Sequence, residues 1–526
     1  MSDPEQLVSG IEARLRPLEV ALAEAWWETS THVSEEAKER RERIELERRA
    51  LLADPEAFAA IREARGTDVD DPLVRRQLDV LHDAFAPHQV PEALRRRLVG
   101  LEVEVEATFN SHRGEIGGQR VDDNHILEIL RSSDDTGERK VAWQASKQVG
   151  AQVAEQVREL AELRNQAARG LGYRDHFELA LATGELDEGR LFATLDEVDR
   201  ATAGPFTEWK GRLDQSLAAR FGCGVADLRP WHYDDPFFQD PPVAGAVDLD
   251  PIFEDADIEG LTLRTYDGLG LDLRPVLEQS DLFAREGKSQ HAFCIDIDRE
   301  GDVRVLCNVE PSERWMDTML HEFGHATYDR GIDRGLPWLL RAATHALTTE
   351  GVAMLFGRLP RDPNWLRRIA GIDATRIDEL APRLAESRRA NLLVFARWVL
   401  VMTTFERDLY ANPSADHEAR WWDIVERFQL LHRPEPGSAE AAWASKIHLT
   451  VAPVYYQNYL YGELVASQLG DAVAARATGL VDHVDAGRLL VDDFFAPGAS
   501  LRWDRLVERA TGEPLGAGAF ARHLAA

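Results

Sequence analysis

The residues best placed to do chemistry are His321-Glu322-Phe323-Gly324-His325. In an α-helix, side chains four residues apart are rotated by only about 40°, so His321 and His325 point the same way. Two imidazoles in that arrangement can hold one Zn²⁺, and Glu322, one position round, can take a proton from an attacking water. The flanks Trp315, Met316, Met319, Leu320 and Phe323 make this a buried type of helix and not a solvated face.

Catalytic zinc takes three protein ligands and keeps one position open. The third ligand is expected to be Glu350, in THALTTEGVAMLFGRL, on the next helix after His325. It is the sole acid between Asp333 and Asp362, set among Ala, Leu, Thr, Val and Met. A carboxylate on so apolar a helix needs a partner when buried, and a metal would supply it. Gly335 and Pro337 give the turn that folds this helix back on the first. His345 is a weaker candidate, since it can equally cap or pack.

The elements that must position these groups are mostly long amphipathic helices. Val149, Val153, Val157, Leu160, Leu163 and Ala167 form one apolar stripe, which predicts a helix from about Thr136 to Arg169, with Gly170 as a stop. Similar patterning covers about 186–220, 312–330, 338–358, 375–410 and 451–470, and the charged run from Ser34 to Arg65 reads as a solvated outer helix. Between Val225 and Asn308, prolines break the helical pattern. There QHAFCIDI and VRVLCN flank Asp298-Arg299-Glu300-Gly301-Asp302, the signature of one small hairpin just before the histidine motif. The fold class expected is mainly α, with one β element.

Composition narrows the function. The chain has 526 residues, 44% hydrophobic and 29% charged, and a net charge of −31. So acidic a chain lacks the basic footprint of a nucleic-acid binder and is ill suited to anionic membranes. No apolar run reaches the roughly 18 residues of a membrane helix. Cys223, Cys294 and Cys307 are too few and too odd for a disulfide framework. The N-terminal MSDPEQLVSGIEARL has no signal-peptide core, so a cytoplasmic location is expected. A vestigial metal site in a non-catalytic helical binding protein is the alternative from another class, but degenerate sites usually lose one of these four residues, and His321, Glu322, His325 and Glu350 are all present.

The H-E-x-x-H pair followed by Glu350 on the next helix resembles a gluzincin peptidase. LRNQAARGLGY at 163–173 resembles a helix end shared by the angiotensin-converting-enzyme and thimet-oligopeptidase families. Lys446-Ile447-His448 with Tyr456 and Tyr459 is similar to the converting enzymes' K-x-H and Y-x-x-Y, and GRLLVDDFFAPGASLRWDRLVERATGEPL to their terminal segment. The resemblance covers roughly 140–526, and the segment before it matches only as helices. It implies a two-lobed helical body around a deep channel, with 1–140 as a lid-like region and 141–526 as the catalytic region. It further implies one Zn²⁺ per chain and short peptide substrates that lose a C-terminal dipeptide, or internal cleavage as in thimet oligopeptidase. In that scheme Glu322, His448 and Tyr459 are catalytic, with Tyr455 and Tyr461 as rival registers for the tyrosines. His291, Ala292, Lys446 and Tyr456 bind substrate, Lys446 through the terminal carboxylate, and Gln239 is a candidate to assist it. Asn458 stands where converting enzymes carry a chloride-binding Arg, and Met354 where an Asp often follows the ligand Glu.

Overall fold

The computed structural model describes residues 3–32, 34–242 and 247–525. Among them are twenty-two α-helices and two two-stranded antiparallel sheets, so the fold is mainly α. No described helix is long and apolar enough to cross a membrane.

The long helices lie where the periodicity places them: Thr136–Gly170, Glu188–Phe221, Glu313–Gly331 and Ala374–Ala411. Two expected helices begin later than their apolar patterns do. The helix that carries Glu350 is Ala346–Gly357. Trp338 and Leu339 instead pack into the core of the N-terminal helices. The long helix expected from about residue 451 starts at Tyr456, past Pro453, after a short turn of helix at His448–Val451. The charged run from Ser34 to Arg65 is broken into Glu35–Leu52 and Pro55–Arg65, because Asp54 caps the second helix and proline opens it.

The sheets are β1 (Gly114–Ile116) with β2 (Gln119–Val121), and β3 (Phe293–Asp296) with β4 (Val303–Leu306). The second pair is the expected hairpin. The first is one that the sequence pattern does not announce, since such short strands around Gly117-Gly118 leave almost no alternation to read. In the second sheet Leu306 of β4 also bridges to Asp281, so β3 is the outer strand.

Hydrophobic packing forms two cores. Helices between Pro4 and Phe85 bury Val8, Ile11, Phe58, Ile61, Leu78 and Leu81 among themselves. The much larger second core runs from Leu101 to Leu524, and the residues singled out for chemistry lie on the elements that build it.

Candidate metal centre

The motif helix Glu313–Gly331 starts at Ser312, whose hydroxyl accepts the Trp315 N–H. Met316, Met319, Leu320 and Phe323 are fully buried, and the Tyr266 hydroxyl donates to the Leu320 carbonyl at 2.8 Å. The face opposite that packing carries the histidines. Gly324 lets the Glu350 helix approach, since a Cβ there would stand 2.9 Å from Ala353 Cα. The helix Tyr456–Ala477 closes on the other side through Gly351 and Gly462, where a side chain at 351 would collide with Val465. Small residues at two crossings thus press three helices together around the site.

His321, His325 and Glu350 converge, and one ligand atom from each lies within 4.8 Å of the others. His321 Nε2 is 3.7 Å from Glu350 Oε2, and the two imidazoles meet edge to face with centroids 5.0 Å apart. His325 Nδ1 bonds the Thr349 hydroxyl at 2.7 Å, which fixes the ring and leaves Nε2 for a metal. Burial lowers the pKa of His321 to about 4 and, with the neighbouring His321, that of His325 to about 3, so both imidazoles are neutral near pH 7, the form that can bind a metal. Burial raises Glu350 to about 7 and, helped by Glu350, Glu322 to about 8. Two carboxyls held this high mark a site that favours an added cation. His345 lies outside the set: its Nδ1 accepts the Leu347 N–H and caps the Glu350 helix.

Glu322 also receives the backbone N–H of Cys294. That N–H points away from β4, so the backbone groups of Ala292, two residues earlier, share its direction toward the open edge of β3. His291 lies just before the strand, exposed, with its N–H on the Ser289 hydroxyl.

Tyr459 and Tyr455 both lie close enough to Glu350 for its charge to raise their pKa values, after burial. Tyr461 is packed against Trp503 instead, away from the centre. From Tyr459 the contacts run outward. Its ring meets Tyr456 at 5.5 Å, Tyr456 meets His448 at 5.0 Å, and the Lys446 ammonium lies 5.8 Å from Tyr456. Burial, then Lys446, lowers His448 to about 4, and its Nδ1 has no partner among the described residues.

Lys446 donates to Gln239 Oε1 at 2.8 Å and is ringed by Phe237, Trp398 and Tyr456. Asp235 shapes the loop by accepting the N–H groups of Phe237 and Gln239. The 163–173 run acts as a tether: Arg164 binds the Leu449 and Thr450 carbonyls just past His448, and Asn165 binds the Tyr410 carbonyl. Thr349, the Cys294 N–H and Asp235 have no signal in the sequence, because each acts through local geometry.

Two family models match the chain. The one described as angiotensin-converting enzyme matches residues 2–198, and the one described as peptidase family M3 matches residues 279–526. Together they indicate a metallopeptidase that acts on peptides, in keeping with the resemblance to both families. The converting-enzyme match begins at residue 2 and so takes in the N-terminal segment, where the sequence reads only as helices. Residues 199–278, with Gln239, lie outside both matches, and no curated protein matches the chain.

Proposed function

We propose that the chain is a zinc peptidyl-dipeptidase, which hydrolyses short peptides two residues from a free C-terminus. The observation that carries this reading is the path of contacts from the Lys446–Gln239 pair through Tyr456 to Tyr459, which lies near enough to Glu350 to feel its charge. It joins a group suited to a terminal carboxylate with a group suited to a metal.

The donor set suits zinc: two neutral imidazoles and a carboxylate, with Thr349 holding one ring from behind. His321, His325 and Glu350 would hold the ion, which when bound supplies Lewis acidity toward the scissile carbonyl and the attacking water. Glu322, oriented by the Cys294 N–H, takes the water's proton and returns it to the leaving amine. The Tyr459 hydroxyl stays protonated and donates to the carbonyl oxygen as charge develops there, and neutral His448 adds a second donor.

The open edge of β3 holds the substrate backbone extended through Ala292, with His291 at its start. Lys446, with Gln239 and Tyr456 beside it, takes the terminal carboxylate. The N-terminal region 1–140 acts as a lid over 141–526, and folded proteins are excluded by a channel between helices. The three free cysteines suit a reducing cytoplasm.

The match of residues 279–526 to peptidase family M3 favours a second reading, an oligopeptidase that cuts internally. Metal analysis tests what both share. Gently purified protein is expected to carry one zinc per chain, to lose activity with a chelator and to regain it with Zn²⁺. Peptide hydrolysis that survives complete zinc removal would overturn the proposal.

A further inference from the structure

Lys147 is the strangest charged residue in the molecule. Lysines are scarce in this chain, and this one is 2% exposed, with an ammonium that has no hydrogen-bond partner among the described residues. Burying an amine without a hydrogen-bond partner costs stability.

What surrounds it is the carboxylate pocket seen from below. Its Nζ sits 3.2 Å from the centre of the Phe237 ring, and the Lys446 ammonium lies 5.1 Å from the same ring. One turn along the helix, Gly150 abuts the Ala441 carbonyl so closely that a Cβ would collide with it. The helix face bearing Lys147 is therefore pressed on the segment that leads into Lys446. The charged groups within reach are Asp235 on the loop, Glu418 on the helix His417–Gln429, and Lys446 itself. Asp235 is already engaged by the Phe237 and Gln239 N–H groups, and Glu418 by Trp422 Nε1 and the Ala442 N–H.

We propose that Lys147 is a positioning residue for the terminal-carboxylate pocket: it supplies a second positive charge behind Phe237 that makes Lys446 and Gln239 prefer a free carboxylate to an amide. The inference rests on the dipeptidase reading of the Lys446 site. Without a substrate, burial above all, and then the repulsion of Lys446, hold the amine well below its ordinary range against the pull of Asp235 and Glu418. An arriving carboxylate adds a negative charge on the Lys446 side that works against burial and that repulsion together, so Lys147 is charged most fully when the correct substrate is bound. A lysine suits this role better than an arginine, because its proton can come and go.

The experiment compares wild type with Lys147→Met on matched short peptides that have free or amidated C-termini. The variant is expected to raise KM for the free acid about tenfold, the scale of one charge acting across several ångströms at a protein site of intermediate effective dielectric. KM for the amide and kcat for both should stay within about twofold. Lys147→Gln, neutral and polar, is the second variant should Met not fold, and the same shift is expected. If wild type prefers free acids and both variants keep the whole preference, the role of Lys147 falls while the pocket stands. If wild type shows no preference, the pocket and this inference fall together. Equal rises in KM for acid and amide would show a packing role only, and would also overturn it.

Discussion

Thr349 offers a sharp test of how the site is built. Its hydroxyl lies 2.7 Å from His325 Nδ1, on the side of the ring away from the metal position. Thr349→Val keeps the shape of the side chain and removes only that bond, so the Glu350 helix should pack as before. His325 would then lose the contact that fixes its ring and tautomer, and a buried Nδ1 would be left unpaired. Loss of such a bond behind a metal ligand typically weakens metal binding about 10–100-fold, or roughly 1.4–2.7 kcal/mol. The value should fall toward the upper end, because the site is enclosed: burial, with the neighbouring His321, already holds His325 near 3. Competition for Zn²⁺ against a chromophoric chelator measures the affinity, and kcat at saturating zinc measures the chemistry. The affinity should drop while kcat at saturation changes little, and Thr349→Ser should restore most of the loss. A Thr349→Val affinity within about twofold of wild type would refute the reasoning, since the bond would then do nothing for the ligand.

Glu322→Gln should leave zinc bound and lower kcat by several orders of magnitude, read by metal content and turnover on the same sample. Tyr459→Phe should lower kcat about 10²–10³-fold with little change in KM, and if Tyr455→Phe shows that signature instead, the oxyanion donor is the other tyrosine beside Glu350. Burial lowers Lys446 to about 8, with Asp235 and Asp240 pulling it back up. Its cation is thus present below that pH and lost above it, so kcat/KM for free-acid peptides should fall as pH rises through about 8, whereas amidated peptides should show no such limb.

The convergence of His321, His325 and Glu350 was legible because a helix converts spacing into direction. His321 and His325 needed only the helical repeat, and Glu350 needed only to be the one acid on an apolar helix. The β3–β4 hairpin was legible from its alternation and its Asp/Gly turn. Helix starts were less so: Trp338 and Leu339 look like the first turn of the Glu350 helix, but they belong to a neighbouring core that no local pattern reveals. Thr349 and Cys294 were invisible for a different reason. One acts through a hydroxyl on the far side of a ligand and the other through a backbone N–H, and neither leaves a mark on composition or periodicity. Lys147 was hidden by its neighbours: it lies on a helix read for its apolar stripe, and only the fold brings it under Phe237.

The measurement that bears most directly on the dipeptidase reading is mass spectrometry of the products from a ladder of short unstructured peptides, each made with a free and an amidated C-terminus. Free-acid peptides should lose C-terminal dipeptides in succession, amidated ones should be cut poorly, and chelation should stop both. Internal cleavage of free and amidated peptides at equal rates would contradict it.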